Sequence, residues 1–275
     1  MGFSIRTNVS SLVAQTNLYN TQMALESSQS KLSSGLRITK AGDDAAGLGI
    51  SVNLESQIRS YNQAVRNAND GISVVQTAEG ALNESSNLLT RLRELAIQAA
   101  SDGVDANGRG YINTEATKLT SEMDRVANST EFNGTKLLAA AGTTLDFQVG
   151  IRNVAANDRI SVSTIDATSA TLLGAAIDLS TKAGAQAAIT AIDTGLTATS
   201  SARASFGASG NRFNSAVSTI QTASQNLSAA DSRIRDVNVA EETSNASRLS
   251  VLMQAGVSVL AQANQGTQSL LKLLQ

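Results

Sequence analysis

The sequence predicts a mainly α-helical fold, an elongated antiparallel coiled-coil or helical bundle that carries one small β-hairpin. Three observations predict it. Proline is absent from all 275 residues, apolar residues recur at alternating spacings of three and four over long stretches near both termini, and one central stretch switches to period two. Proline is the residue that most reliably interrupts a helix, so its absence permits very long ones. Three-four spacing lays one apolar seam along a helix, whereas period two lays apolar side chains on one face of a strand.

The first segment places Leu18, Leu25 and Leu32 seven residues apart, as expected of an amphipathic helix of about 30 residues. Asp43 and Asp44 suit the start of a second helix, where carboxylates accept bonds from free N–H groups and face the positive end of the dipole. From there the apolar positions run Leu54, Ile58, Tyr61, Val65, Ala68, Ile72, Val75, Ala78, Leu82, Leu89, Leu92, Ala96 and Ala99. Apart from a phase slip at Val75 to Ala78 and a polar Ser85, this is a heptad seam. Ser101, Asp102 and Gly103 end it, and a helix over 44–100 would span roughly 85 Å at 1.5 Å per residue. Ile112, Ala116, Leu119, Met123 and Val126 then predict a shorter helix that folds back.

The pattern changes at Phe132-Asn133-Gly134. Leu145, Phe147, Val149 and Ile151 alternate, as do Ile160 and Val162 beyond a turn near Asn157-Asp158, which predicts a hairpin over 145–164. Residues 166–184 are dominated by Ala, Thr and Gly without a clear period and are expected to form a short connector. Helical spacing returns with Ile189, Ile192, Leu196, Phe206, Phe213, Val217, Ile220, Leu227 and Ile234, a helix of about 50 residues. A last helix of about 35 residues carries Leu249, Met253, Gly256, Leu260, Ala263, Leu270 and Leu274 on one stripe.

This order reads nearly the same backwards, so the simplest packing pairs the terminal segments with each other and the long inner helices with each other. Residues 1–43 and 236–275 then form one helical domain and 44–235 another. The terminal domain would assemble through Leu18, Leu25, Leu32, Leu249, Met253, Leu260, Leu270 and Leu274. The inner seam would join Leu54, Ile58, Val65, Ile72, Leu82, Leu89 and Leu92 to Phe213, Val217, Ile220 and Leu227. A two-helix pair cannot bury both faces of either helix, so the terminal stripes point to self-assembly.

Composition narrows the function further. A net charge of −2 with 16% charged residues supplies no basic field for nucleic acid or an anionic membrane. With neither Cys nor His, the chain lacks the commonest metal ligands, the thiolate nucleophile and the usual general base, and neither an enzyme nor a bound cofactor or metal is expected. Asp43-Asp44 reads as a helix cap rather than an acid–base pair, and the loop Asp102 to Gly108 lacks the terminal Glu and the spacing of a calcium loop. No G-x-S-x-G or S-x-x-K context places a Ser–Lys nucleophilic pair on a strained turn. Residues 249–271 are uncharged, but Gln254, Gln262, Asn264, Gln265 and Gln268 argue against lipid. The N-terminal MGFSIRTNVSSLV lacks the basic and continuous apolar regions of a cleavable secretory signal.

Several runs resemble the bacterial flagellins: LSSGLRI at 32–38, DDAAGL at 43–48, QAVRNANDGISVVQTAEGAL at 63–82, LRELAIQAA at 92–100, EFNGTKLL at 131–138, NRFNSA at 211–216, SRIRD at 232–236 and QAGVSVLAQANQ at 254–265. The large variable outer domains of many members are missing from the middle, as in a short form, and Gly266-Thr267 stands where many members have a proline. The resemblance implies a subunit that polymerises with itself, or with other flagellins, into the extracellular flagellar filament, the propeller for motility. The terminal pair would line an inner tube and the inner helices an outer one. It further implies unfolded export through the flagellar type III apparatus, an export chaperone on 241–275, and filament cap and junction proteins as partners. A hook–filament junction protein is the alternative within the same assembly, and a soluble coiled-coil adaptor the remote one. For LRELAIQAA, Leu92, Ala96 and Ala99 are expected on the seam, with Arg91, Leu95 and Gln98 on another face. There the resemblance implies recognition by the vertebrate toll-like flagellin receptor, with Glu115 joining from the next helix.

Overall fold

A computed structural model describes the backbone of residues 7–273 and the side chains of 7–265. Helix α1 is Val9–Ser34, α2 Ala45–Ala100, α3 Ala106–Ser129, α6 Lys182–Arg235 and α7 Val239–Leu273. Between α3 and α6 lie β1 (Glu131–Phe132), β2 (Thr135–Lys136), β3 (Thr144–Gln148), the single turn α4 (Ala155–Asp158), β4 (Arg159–Ser163) and the short helix α5 (Ser169–Leu173). The chain divides into two compact units, the first comprising 1–56 and 226–275, the second 57–225. This division falls inside α2 and α6, whereas the sequence-based boundaries at 43/44 and 235/236 follow the connectors.

Local chemistry sets the helix ends. Asn8 caps α1 by accepting the Ser11 N–H at 3.1 Å. Gly35, with φ of +71°, closes it by donating its N–H to the Lys31 carbonyl, a left-handed cap that favours glycine. The two aspartates at the start of α2 divide the work: Asp44 accepts the Gly47 N–H at 2.8 Å, while Asp43 collects the N–H and hydroxyl of Thr39 and the N–H of Lys40. These bonds, led by the Thr39 hydroxyl, hold the Asp43 carboxyl below its usual pKa. At the far end of α2, the Arg109 guanidinium donates to the Ala99 and Ser101 carbonyls, a cationic cap on the negative end of the helix.

In unit 1, α1 lies along α7. The connectors meet in a short antiparallel bridge at Leu36 and Asp236, with the Arg37 N–H on the Arg235 carbonyl and the Val237 N–H on the Gly35 carbonyl. Arg37 also donates to the Ile234 carbonyl at 2.6 Å, and Arg235 pairs with Glu55 at 3.3 Å. Ile38, in the same connector, is buried.

Unit 2 holds a continuous core in which α2, α3, α6, the β3–β4 hairpin and α5 all contribute buried side chains. β3 and β4 pair antiparallel from Thr144 with Ser163 to Gln148 with Arg159, matching the predicted hairpin. Phe147 of β3 meets Phe213 of α6 edge to face at 5.4 Å. Phe213 also lies over Gly71 of α2, where an added Cβ would stand 2.5 Å from its Cζ, so a larger residue would force the ring to shift. Ser85, the polar gap in the predicted seam, is fully buried and donates its hydroxyl to the Ala81 carbonyl one turn back.

Two expectations need correction. The stretch 166–184 is not a featureless connector, because it contains α5 and the first turn of α6. It is held by polar pins rather than an apolar period: Asp124 of α3 accepts the N–H and hydroxyl of Ser169, and Asn113 accepts the Leu179 N–H. Leu95 does not lie on an outer face. It is 2% exposed in the core, because α2 is covered from more than one side and a second arc of positions is buried beside the first.

Candidate functional site

The α1–α7 pair is the part of the chain with most to bury. Along α1, Ser11, Ala14, Leu18, Thr21, Leu25, Ser28 and Leu32 alternate by three and four and are buried or half-buried. Along α7, Leu249, Met253, Gly256, Leu260 and Ala263 form the matching half-buried row. Gly256 lets the helices close in, since a Cβ there would sit 3.2 Å from Leu18 Cδ1. The seam has a polar pin near each end. Asn8 donates to the Ala263 carbonyl and Ser11 to Asn264 at one end, and Ser28 to the Glu242 carbonyl at the other. Such directional bonds fix the register of a seam made largely of small side chains.

Of the residues the sequence placed in this pair, Leu18, Leu25, Leu32, Leu249, Met253 and Leu260 all lie on the half-buried row. The side chains of Leu270 and Leu274 lie outside the described residues. Sequence reasoning missed a second set on the uncovered faces: Val9, Leu12, Val13, Tyr19 and Met23 on α1, and Val251, Leu252, Val257 and Val259 on α7, each at least half exposed. A signal for it was present, because Val9, Leu12, Thr16, Tyr19 and Met23 are themselves spaced three, four, three and four. Covering these nine side chains would contribute on the order of 10 kcal/mol. That exceeds what scattered surface apolar residues need by way of explanation and marks an interaction surface.

The inner seam residues fall into two groups. Leu82, Leu89, Leu92, Phe213 and Ile220 are buried. Leu54, Ile58, Val65, Ile72, Val217 and Leu227 are half-buried. Arg91 and Gln98 lie exposed on α2 and Glu115 on α3. Arg91 pairs with Glu115 at 2.8 Å and with Glu94 at 2.9 Å, and these carboxylates, Glu115 first, raise its pKa above the ordinary arginine value. Leu95 is beneath this surface rather than on it. No helix among the described residues is long and apolar enough to cross a membrane.

Comparison with known proteins gives this arrangement its context. Residues 5–143 match the family described as bacterial flagellin N-terminal helical region, and 189–274 match the bacterial flagellin C-terminal helical region. The chain is 43% identical over 259 residues to a flagellin of Halalkalibacterium halodurans, covering 94% of this chain and 93% of that protein. It is 40% identical to a flagellin of Bacillus subtilis and 37% identical to the flagellar filament 33 kDa core protein of Treponema phagedenis, covering 98% of this chain and 99% of each relative. The crystal structure of Bacillus cereus flagellin matches with a TM-score of 0.51 at 31% identity, over 60% of this chain and 94% of that one. A putative flagellar hook-associated protein from Vibrio parahaemolyticus shares the fold with a TM-score of 0.59 over 70% of this chain and all of that one, but at only 14% identity. The extensive matches to flagellins, together with the helical architecture and the uncovered apolar faces of the terminal pair, establish that the chain belongs to the bacterial flagellin family and is a structural subunit of the flagellar filament.

Proposed function

We propose that the α1–α7 pair, with residues 1–43 and 236–275, lines the inner tube of the filament, and that 44–235 builds the surrounding tube. The observation that carries this reading is the row of uncovered apolar side chains on both terminal helices. Identical neighbours related by a non-closing rotation would cover those faces and extend the polymer without limit. The filament then acts as a mechanical propeller rather than as a catalyst. Deleting the last ~20 residues removes the end of the α7 stripe. Polymerisation, followed by light scattering and electron microscopy, should be abolished while unit 2 keeps its melting transition. Truncated monomer that still seeded filaments would sink the inner-tube assignment.

The same uncovered faces would be a liability before assembly, which supports export in an unfolded state through the type III apparatus. It also supports a chaperone on 241–275, with cap and junction proteins bounding the filament. A receptor contact at Arg91, Gln98 and Glu115 is supported by their exposure and by the ion pair that fixes Arg91 against Glu115. Leu95 would hold that surface from below.

A further inference from the structure

A pocket of about 360 Å³ opens within unit 2 between the β3–β4 loop and the middle of α6. Its floor includes Val149, Ile160 and Ile220, each at most 6% exposed. Its rim carries two guanidinium groups, Arg159 and Arg212, with Asn157 and Ser215 beside them. A concave apolar floor with a few polar groups on the rim, in a volume within the roughly 300–1,000 Å³ range of small-molecule sites, is the usual form of a binding pocket.

The charge at this pocket is positioned but not neutralised. The Gln148 amide donates to the Gly150 and Arg152 carbonyls, which fixes its side chain across the loop. Its oxygen then accepts from Arg159 Nε at 3.2 Å, while Asn153 accepts from Arg159 Nη2 at 2.7 Å. Both acceptors are neutral. Asp158, the adjacent acid in sequence, accepts the Val154 N–H with Oδ2 and so closes its own turn. Arg212 makes no ion pair or hydrogen bond with any described residue. Elsewhere in unit 2, by contrast, Arg91, Arg93 and Arg125 each face a carboxylate.

We propose that this pocket is an anion-binding site that takes a carboxylate or phosphate between Arg159 and Arg212 and seats an apolar group over Val149, Ile160 and Ile220. Guanidinium groups suit planar carboxylate and phosphate oxygens because they offer paired donors in a fixed fork. The anion has two sources, a small organic anion from the medium or an acidic side chain from a second copy in the filament. Only the second source rests on the filament assignment.

The test uses full-length monomer titrated with phenyl phosphate and with inorganic phosphate at matched ionic strength. Saturable binding is expected by calorimetry, tighter for phenyl phosphate because of the apolar floor. Ligand at about five times its Kd should raise the unit 2 Tm by about 2–4 °C. R159Q/R212Q should lose at least tenfold in affinity with its far-UV circular dichroism unchanged. Should that variant misfold, R212Q alone serves, since Arg212 is exposed and bonded to nothing described. No saturable binding, or equal binding by R212Q, would overturn the proposal. Wild-type filaments then separate the sources. Retained binding of phenyl phosphate identifies a free anion. Binding by monomer but not by filament, with R212Q needing more monomer to polymerise, identifies a neighbour's carboxylate. Failure of the wild-type chain to polymerise would count against the filament reading and leave the monomer titration intact as a test of the site.

Discussion

Leu92 on α2 and Leu18 on α1 each sit on a three-four seam, yet Leu92 is sealed from solvent and Leu18 stays partly open. The difference lies in how many neighbours surround each helix. In unit 2, α2 contributes to a core shared with α3, α6 and the hairpin, so even its second arc, represented by Leu95, is buried. In unit 1, α1 has α7 along one side, and its other apolar arc, from Val9 to Met23, remains exposed. The same periodicity therefore yields a finished core in one region and an unfinished one in the other. An unfinished core gains its missing stability only when a partner arrives.

The sharpest way to break this contrast is to damage the finished core. Phe213→Ala removes a fully buried ring that packs on Gly71 and Phe147, and should cost about 3–5 kcal/mol. Denaturant unfolding of the monomer should register nearly all of it in unit 2. A loss under ~1 kcal/mol would mean that the core around α6 is far looser than its burial implies.

The converse experiment targets the unfinished core. Leu12→Ser combined with Val259→Ser changes two side chains that already face solvent, so monomer stability should move by less than about 0.5 kcal/mol. Polymerisation should weaken by about 2 kcal/mol, roughly a thirtyfold rise in the monomer concentration at which filaments appear. Equal loss in monomer and filament would erase the distinction between the two regions. A smaller contrast exists between two glycines of α2. Gly71→Ala forces a methyl against Phe213 and should destabilise unit 2 by about 1–2 kcal/mol after the gain in helix propensity. Gly80→Ala meets open space and should stabilise it by about 0.5–1 kcal/mol. Thermal melts of the two variants should shift in opposite directions.

Much of this architecture is legible in residue order. Period finds the body of α2, the residues at 43–44 and 101–103 set its ends, and alternation finds β3 and β4, because each pattern reports which side of an element is dry. Leu95 was misplaced because a single heptad seam assumes one partner helix, and nothing in local spacing reveals a second. α5 was missed because Asp124 and Asn113 hold its surroundings from another helix through bonds that leave no periodic trace. The small β1–β2 hairpin turns on Asn133 and Gly134, both with positive φ, and its two-residue strands are too short to alternate. The exposed stripe of α1 is legible as a second three-four period, Val9, Leu12, Thr16, Tyr19 and Met23, running beside the first seam.

The smallest expected effect concerns pH. The chain has no histidine, so neither region should change stability between about pH 5 and 8. Below that window the aspartates decide. At Asp166, burial pushes the carboxyl pKa up, but bonds from Thr171 and Thr168 outweigh it and hold the group below its usual value. Asp102 is lowered chiefly by its bond to Lys182, and Asp43 by Thr39. A carboxyl with a depressed folded-state pKa contributes stability that is present above the unfolded value, about 3.9, and is lost as pH falls through the folded one. Melting temperature should therefore be flat down to about pH 4 and decline below it. Asp166→Asn should flatten part of that decline in unit 2 and leave unit 1 untouched. A step between pH 5 and 8 would break this expectation.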